Sequence, residues 1–151
     1  AVEMEESPSA QTLPRIDICR EDGAWTGLAF HGAPLGHEFD PFVESLISAA
    51  NKSDSLDEAD KQRILSIEGP MRLQVAAGLD CLRCRNTIIP VEQVASLNGN
   101  VTAEIYDIAH FPALQERYNI MSVPCLIVND GEIVRPGGTV NSMSDLLALI
   151  S

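Results

Sequence analysis

The sequence predicts an α/β protein in which a central mixed sheet is flanked by helices. Three observations support this fold class. From Met71 onward, alternating and amphipathic segments follow in the order β, α, β, α, β, β, α, so about 80 residues form one complete α/β unit. A Cys-x-x-Cys motif at Cys81 and Cys84 follows the first strand of this unit and opens its first helix. Before Met71, a shorter group contains two strands and two helices.

The first 14 residues have the composition of a tail. They are acidic, contain Ser and Pro, and show no strand or helix periodicity, so we expect a flexible segment. Alternation of apolar and polar side chains then predicts two antiparallel strands at 16–19 and 26–31, joined by a turn at 20–23.

Two helices are expected before Met71. The first starts at His37, and its spacing predicts one apolar face made of Phe39, Phe42, Val43, Leu46 and Ile47. Residues 51–55 are polar and are interpreted as a linker. The second helix is expected at 56–67, with Ser55 as its N-cap and Glu58 completing a capping box.

The unit from Met71 contains the remaining elements. Pro90 lies inside one expected helix and predicts a kink in it. Asp130-Gly131 predicts a two-residue hairpin, and Ser142 is a candidate cap of the last helix. Strands are expected at 73–77, 101–107, 125–129 and 132–135, and helices at 81–97, 112–118 and 142–150.

Composition excludes several classes of function. The chain carries 22 acidic and 10 basic residues, a net charge of −12, which argues against binding to nucleic acid. No segment approaches the about 18 consecutive apolar residues of a membrane span. Four cysteines are too few for a disulfide-stapled secreted domain, and no basic-then-apolar leader is present, so we expect a cytoplasmic protein.

The Cys-x-x-Cys motif predicts thiol–disulfide exchange. A cysteine in the turn before a helix lies near unpaired backbone N–H groups, which favour the thiolate that attacks disulfides. Arg83 and Arg85 add positive charge nearby, whereas Asp80 opposes it. The alternatives are two structural cysteines or half of a zinc site, completed by Cys19, Cys125 or His110.

A second marker is the dipeptide Val123-Pro124 immediately before a strand. Proline at such a strand entry is a candidate for a cis peptide, with a trans proline as the alternative. A cis turn would expose the backbone groups of Val123 for pairing with a substrate chain. Cys125 follows directly and is interpreted as a core thiol or as a regulatory one.

Together these motifs resemble the thioredoxin/glutaredoxin superfamily. The run Gly-Ala-Pro-Leu-Gly-His-Glu-Phe at 32–39 narrows the resemblance to the N-terminal domain of the alkyl hydroperoxide reductase flavoprotein. That domain is a tandem of two thioredoxin-like folds, of which only the second carries Cys-x-x-Cys. The resemblance implies a redox-inactive, truncated thioredoxin-like half-module at 15–68 and a redox-active domain at 69–151.

The resemblance also implies roles for individual residues. Cys81 would be the interchange nucleophile, Cys84 its resolving partner, and Glu38 an acidic residue that the half-module contributes to the redox centre. Electrons would pass from a thioredoxin-reductase-like flavoprotein to a peroxiredoxin. No nucleotide-binding Gly-x-Gly-x-x-Gly occurs, so FAD and NADH are expected in a partner or in a missing segment. We expect a homodimer or a packed tail at the sheet edge left by truncation.

Two other functions stay open on the sequence. One is a glutathione-linked glutaredoxin, for which Arg135 and Gln115 are the candidate binding residues. The other, from a different class, is a non-catalytic zinc-binding or docking module.

Overall fold

The computed structural model describes residues 2–3, 14–51 and 55–151. Within these residues, seven strands form one sheet and five α-helices pack around it. The strands are β1 (Val2–Glu3), β2 (Arg15–Cys19), β3 (Trp25–His31), β4 (Met71–Ala77), β5 (Val101–Asp107), β6 (Cys125–Val128) and β7 (Ile133–Arg135). The helices are α1 (Phe39–Asn51), α2 (Glu58–Leu65), α3 (Cys84–Leu97), α4 (Pro112–Arg117) and α5 (Met143–Ile150).

The sheet is mixed and continuous across both parts of the chain. Its order is β1-β2-β3-β5-β4-β6-β7, with β5 parallel to both of its neighbours and the other pairs antiparallel. The predicted fold class, a mixed sheet flanked by helices, is therefore confirmed. β1 pairs with the outer edge of β2, where a dimer or packed tail is expected. Residue 1 and residues 4–13 of the predicted flexible tail lie outside the described residues, whereas Pro14 is described.

Helices cover the two faces of the sheet unequally. Leu28 of β3, Leu73 of β4 and Ile105 of β5 lie in one fully buried cluster with residues of α2, α3 and α5, against which α1 also packs. On the opposite face, a smaller cluster around Ala76 and Ile127 is covered by side chains of α4. None of the helices in the described segments has the length and apolar character that a membrane span requires.

The opposite face also carries a buried ionic group that joins the two parts of the chain. Glu104 on β5 lies 3.0 Å from His31 Nε2 on β3 and accepts a hydrogen bond of 2.6 Å from Arg72 Nε on β4. Burial would raise the pKa of Glu104, but these two hydrogen bonds outweigh it and lower the pKa to about 2. The carboxylate therefore stays charged and links three adjacent strands.

The predicted apolar face of α1 is wrong in two positions. Phe39 is 54% exposed and Ile47 is 47% exposed. Phe42 and Leu46 pack against the core as predicted, together with Ala49, and the neighbouring Ser45 is also buried. The buried stripe is thus rotated from the predicted one, because small residues at 45 and 49 allow close approach.

The predicted cap of the second helix is also wrong. α2 begins at Glu58, and the Asp57 carboxylate, not Ser55, accepts a hydrogen bond from the backbone N–H of Asp60. Both residues are good caps, and Asp57 adds a favourable negative charge at the positive end of the helix. The expected cap of α5 is confirmed, since Ser142 Oγ accepts from the Asp145 N–H.

Two further boundaries differ from expectation. The helix predicted to start at Cys81 begins at Cys84, because the residues before it form tight turns. The hairpin is longer than the two predicted residues: Val128 pairs with Ile133, and the loop between them has Asp130 at a φ of 57°. Pro90 lies inside α3, as predicted.

Candidate active site

Cys81 and Cys84 are joined by a disulfide at the carboxyl end of β4. Their Cα atoms are 5.4 Å apart, in the range that a disulfide spans. A backbone hydrogen bond from the Cys81 N–H to the Gly78 carbonyl, and one from the Cys84 N–H to the Cys81 carbonyl, shape the turns that lead into α3. Cys84 is 1% exposed and Cys81 is half-buried, so the outer sulfur is the one that a partner can reach.

A cavity of about 560 Å³ opens beside the disulfide. Cys81, Asp107 and Val123 line it, together with the charged residues Asp80 and Arg83. Of the two arginines considered for the motif, only Arg83 therefore contributes to this cavity. No acidic residue occupies the first turn of α3, so the positive end of that helix is not compensated from within the turn, and Asp80 is the acidic residue nearest in sequence.

The Val123–Pro124 peptide bond is cis, which confirms the expectation for this strand entry. Val123 stands close to the disulfide: a Cβ added to Gly78 would lie 3.7 Å from Val123 Cγ2 and 4.0 Å from Cys81 Cβ. The strand entry and the cysteine turn therefore lie side by side around Gly78, at ordinary van der Waals distance. Pro124 is buried, whereas Val123 is half-buried.

Glu38 reaches the vicinity of the redox centre on a short 3₁₀ turn, Gly36–Glu38. The His37 N–H donates a 2.9 Å hydrogen bond to the carbonyl of Leu79, two residues before Cys81. Gly36 has a φ of 56°, and a Cβ there would lie 2.7 Å from that same carbonyl oxygen. Only glycine satisfies both conditions, so the turn can be held against the cysteine loop.

The Glu38 carboxyl is buried and incompletely paired. The residue is 2% exposed, and Oε1 has no hydrogen-bond partner among the described residues. Burial, and then the negative charge of Asp107, raise the pKa of Glu38 to about 7. Such a carboxyl can give or take a proton near neutral pH.

Comparison with known proteins identifies the family. Residues 71–151, more than half of the chain, match the model described as a thioredoxin domain. The chain belongs to the thioredoxin domain family. With its Cys81–Cys84 disulfide, this thioredoxin domain carries the redox centre of a disulfide oxidoreductase.

The similarity extends upstream of the thioredoxin domain. The F subunit of alkyl hydroperoxide reductase from Staphylococcus epidermidis is 29% identical over 124 residues, which cover 82% of this chain and 24% of that protein. The chain thus spans about a quarter of the length of that curated relative. The crystal structure of the NTD_N/C domain of alkyl hydroperoxide reductase AhpF from Enterococcus faecalis is 26% identical, with a TM-score of 0.85 over 93% of this chain and 66% of that one.

A more distant solved structure shares the fold. It is a protein disulfide oxidoreductase from Aeropyrum pernix, 19% identical, with a TM-score of 0.74 over 93% of this chain and 60% of that one. These comparisons confirm the resemblance on which the sequence analysis relied.

Asp107 is a site residue that sequence reasoning missed, and its neighbour His110 was considered there only as a zinc ligand. Asp107 is 1% exposed, ends β5 and lines the cavity with Cys81. His110 Nδ1 lies 2.7 Å from Asp107 Oδ2, and the Ala109 N–H donates to Oδ1. A signal was present: Asp107 is the last residue of a predicted strand parallel to the one that precedes Cys81, and the carboxyl ends of parallel strands share one edge.

The two other cysteines, Cys19 and Cys125, are not in the disulfide and do not line the cavity beside it. Cys125 is buried in the cluster of Ala76, Ile120 and Ile127, where burial raises the pKa of its thiol. Cys19 lines a separate cavity with Thr26 and Leu46. Across residues 14–51 and 55–151, no three His, Cys, Asp or Glu side chains are grouped to hold a metal ion.

Proposed function

We propose that this chain is a dithiol relay that takes electrons from a thioredoxin-reductase-like flavoprotein and passes them to the disulfide of a peroxiredoxin. The observation that carries the proposal is the pairing of a reachable sulfur, Cys81, with a buried one, Cys84, beside an open cavity. A relay needs this asymmetry, because one sulfur must attack the partner disulfide while the other stays protected until it closes the internal disulfide.

The reaction has two exchange steps. In the reduced protein, the Cys81 thiolate attacks one sulfur of the partner disulfide, forming a mixed disulfide and releasing the partner's first thiolate. Cys84 then loses its proton and attacks the Cys81 sulfur, closing the internal disulfide and releasing the second partner thiolate. Two electrons pass to the partner, and its two thiolates take up two protons.

Val123 and Pro124 would align the partner chain. The Val123 backbone groups at the strand entry can pair with an extended segment in the manner of an added strand. This pairing would bring the partner disulfide over Cys81, since Val123 borders the same cavity. Glu38 would accept the Cys84 proton, because the raised pKa makes its carboxylate a base near neutral pH.

The partners follow from the similarity to the flavoprotein component of alkyl hydroperoxide reductase. We assign FAD and NADH to the flavoprotein, whether a separate partner or a segment outside this chain, and expect the relay to act in the cytoplasm, where thiols are kept reduced. Glutathione is a weaker candidate for the reductant. Gln115 uses its side-chain amide on the Ile120 carbonyl, and neither Gln115 nor Arg135 borders the cavity.

The exchange chemistry can be tested by reduction of insulin with dithiothreitol. We expect Cys81→Ser to abolish acceleration by the protein, because it removes the attacking sulfur. Cys19→Ser is the matched control and should retain the wild-type rate, since Cys19 lies in a separate cavity. An unchanged rate in Cys81→Ser would end the proposal.

The direction of electron flow needs a second experiment. The oxidised protein is mixed with NADH and a thioredoxin-reductase-type flavoprotein, or with NADPH, glutathione and glutathione reductase, and then with an oxidised peroxiredoxin and peroxide. Rapid NADH oxidation that requires both the chain and the peroxiredoxin is the expected result. Faster turnover with glutathione would overturn the assigned electron donor.

A further inference from the structure

The proton that Cys84 loses during disulfide closure must leave a buried site. Cys84 is 1% exposed and Glu38 is 2% exposed, so neither group exchanges protons freely with bulk water. Yet closing the internal disulfide requires the Cys84 proton to leave within one turnover. A buried base that accepts this proton must pass it on before the next cycle.

A chain of titratable groups leads from this interior to the surface. Asp107 is buried, lines the Cys81 cavity, and its charge acts on the Glu38 carboxyl. Asp107 Oδ2 lies 2.7 Å from the Nδ1 atom of His110, whose side chain is 54% exposed. We propose that Asp107 and His110 connect the Glu38 carboxyl to solvent and carry the proton that Cys84 loses. This inference rests on the proposed function.

Local structure favours this arrangement. A Cβ on Gly32 would lie 2.7 Å from Asp107 Cβ, so the loop that leads to Glu38 packs directly on Asp107. The Ala109 N–H holds Asp107 Oδ1, which leaves Oδ2 for the histidine. The Asp107 carboxylate is thereby fixed between the interior turn and the exposed ring.

The proton balance of the step is complete. The Cys84 sulfur bonds to Cys81 as the mixed disulfide breaks, and its proton moves to the Glu38 carboxylate. The proton passes to Asp107 and then to Nδ1 of His110, after exchange with solvent has moved the ring proton of the histidine from Nδ1 to Nε2. The imidazolium releases the Nε2 proton to water, and the departing partner thiolate takes a proton from solvent. Other charges at this cavity are those of Asp80 and Arg83, and His37 lies on the turn that carries Glu38.

The test separates the two sulfurs kinetically. Reduced protein is mixed with 5,5′-dithiobis(2-nitrobenzoate), and the release of coloured thiolate is followed by stopped flow. The first equivalent reports attack by Cys81 and the second reports closure by Cys84. We expect His110→Gln to leave the first phase unchanged and to slow the second about three- to tenfold, less than the about 10²-fold effect of a direct general base.

Controls distinguish a relay from a structural role. His37→Gln changes another exposed histidine near Glu38 and should behave as wild type. His110→Ala should be slow in the second phase and recover with added imidazole, whereas Asp107→Asn should be slow without recovery. A wild-type second phase in His110→Gln, or no recovery of His110→Ala by imidazole, would overturn the relay. Failure of the proposed function would look different, because wild-type protein would then show both phases with this reagent but would not support NADH oxidation with the flavoprotein and the peroxiredoxin.

Discussion

At the scale of single residues, two buried carboxyl groups, Glu38 and Glu92, differ in what their burial does for the protein. Glu38 stands by the redox centre, where an ionisable group can serve the reaction. Glu92 lies inside α3, fully buried, with neither carboxylate oxygen hydrogen-bonded to any described residue. Burial, and then the charge of Glu44, raise the pKa of Glu92 well above its usual value. The first group is a candidate base for the reaction, whereas the second is a cost to stability.

Glu38→Gln should impair closure of the disulfide but not the initial attack. The wild-type rate of closure should rise as the pH passes through about 7, where Glu38 ionises. The amide cannot accept a proton, so we expect the rise to disappear and closure at pH 8 to slow by about 10²-fold. Asp80→Asn removes an exposed carboxylate from the same cavity and should keep the rise. A pH profile unchanged in Glu38→Gln would exclude Glu38 as the base.

Glu92→Met should stabilise the fold. The native carboxyl keeps its proton at pH values where the unfolded chain has lost it, so wild-type stability falls as the pH rises above about 4.5. An apolar side chain of similar size removes this dependence and the unpaired oxygens. We expect the free energy of unfolding to increase by about 1–3 kcal/mol at pH 7, and by less at pH 4.5. Urea denaturation at both pH values measures this change, and a loss of stability at both would contradict the prediction.

At the scale of elements, the helix α2 offers a direct comparison of two caps. Asp57→Ala removes the side chain that accepts from the Asp60 N–H and should cost about 1 kcal/mol. Ser55→Ala removes only an exposed 3.2 Å hydrogen bond from Gln93 and should cost less than about 0.5 kcal/mol. Thermal unfolding of both variants decides between the caps. An equal or larger loss in Ser55→Ala would favour the cap that the sequence predicts.

Elements were predictable where one local pattern dominates. The strand at 101–107 matches its expected bounds, because alternation and flanking polar residues agree there. The cap of α2 was not predictable, since Ser55 and Asp57 are both good caps and only packing selects between them. The face of α1 was missed because apolar spacing does not reveal that Ser45 and Ala49 face the core.

Some residues of the candidate site were likewise predictable from local sequence, and others were not. Short sequence motifs predict the chemistry of part of the site without any knowledge of the fold. These motifs contain Cys81, Cys84 and Val123-Pro124. The contact between the Glu38 turn and Leu79 depends on how two distant segments pack, and it was expected only from the family resemblance. The Asp107–His110 pair has no motif, although the end of a parallel strand next to a redox motif is a place to search.

At the scale of the whole molecule, the predicted half-module does not have a core of its own. Leu28 and Phe30 of β3 are buried in the same cluster as Val75 and Ile105 of the thioredoxin domain. β3 pairs directly with β5, and Glu104 joins His31 to Arg72 across both parts. The turn that carries Glu38 is therefore anchored in a shared core, which holds it in a fixed position relative to the cysteines.

This sharing predicts that the chain unfolds as one cooperative unit. Trp25, the single tryptophan, lies on β3 and reports on the upstream part, whereas far-ultraviolet circular dichroism reports on all helices and strands. We expect the two signals to give the same urea midpoint, because neither part can lose its core alone. Phe30→Ala should lower the free energy of unfolding by about 3–5 kcal/mol, and both signals should report the same loss.

Phe39→Ala is the matched control for this experiment. Phe39 is also in the upstream part but is 54% exposed, so its loss should change stability by less than about 0.5 kcal/mol. Separate midpoints for tryptophan fluorescence and circular dichroism in the wild type would show that the upstream part is an independent module. In that case Glu38 would sit on a part that can detach, and closure of the disulfide should slow at urea concentrations that unfold the upstream part alone.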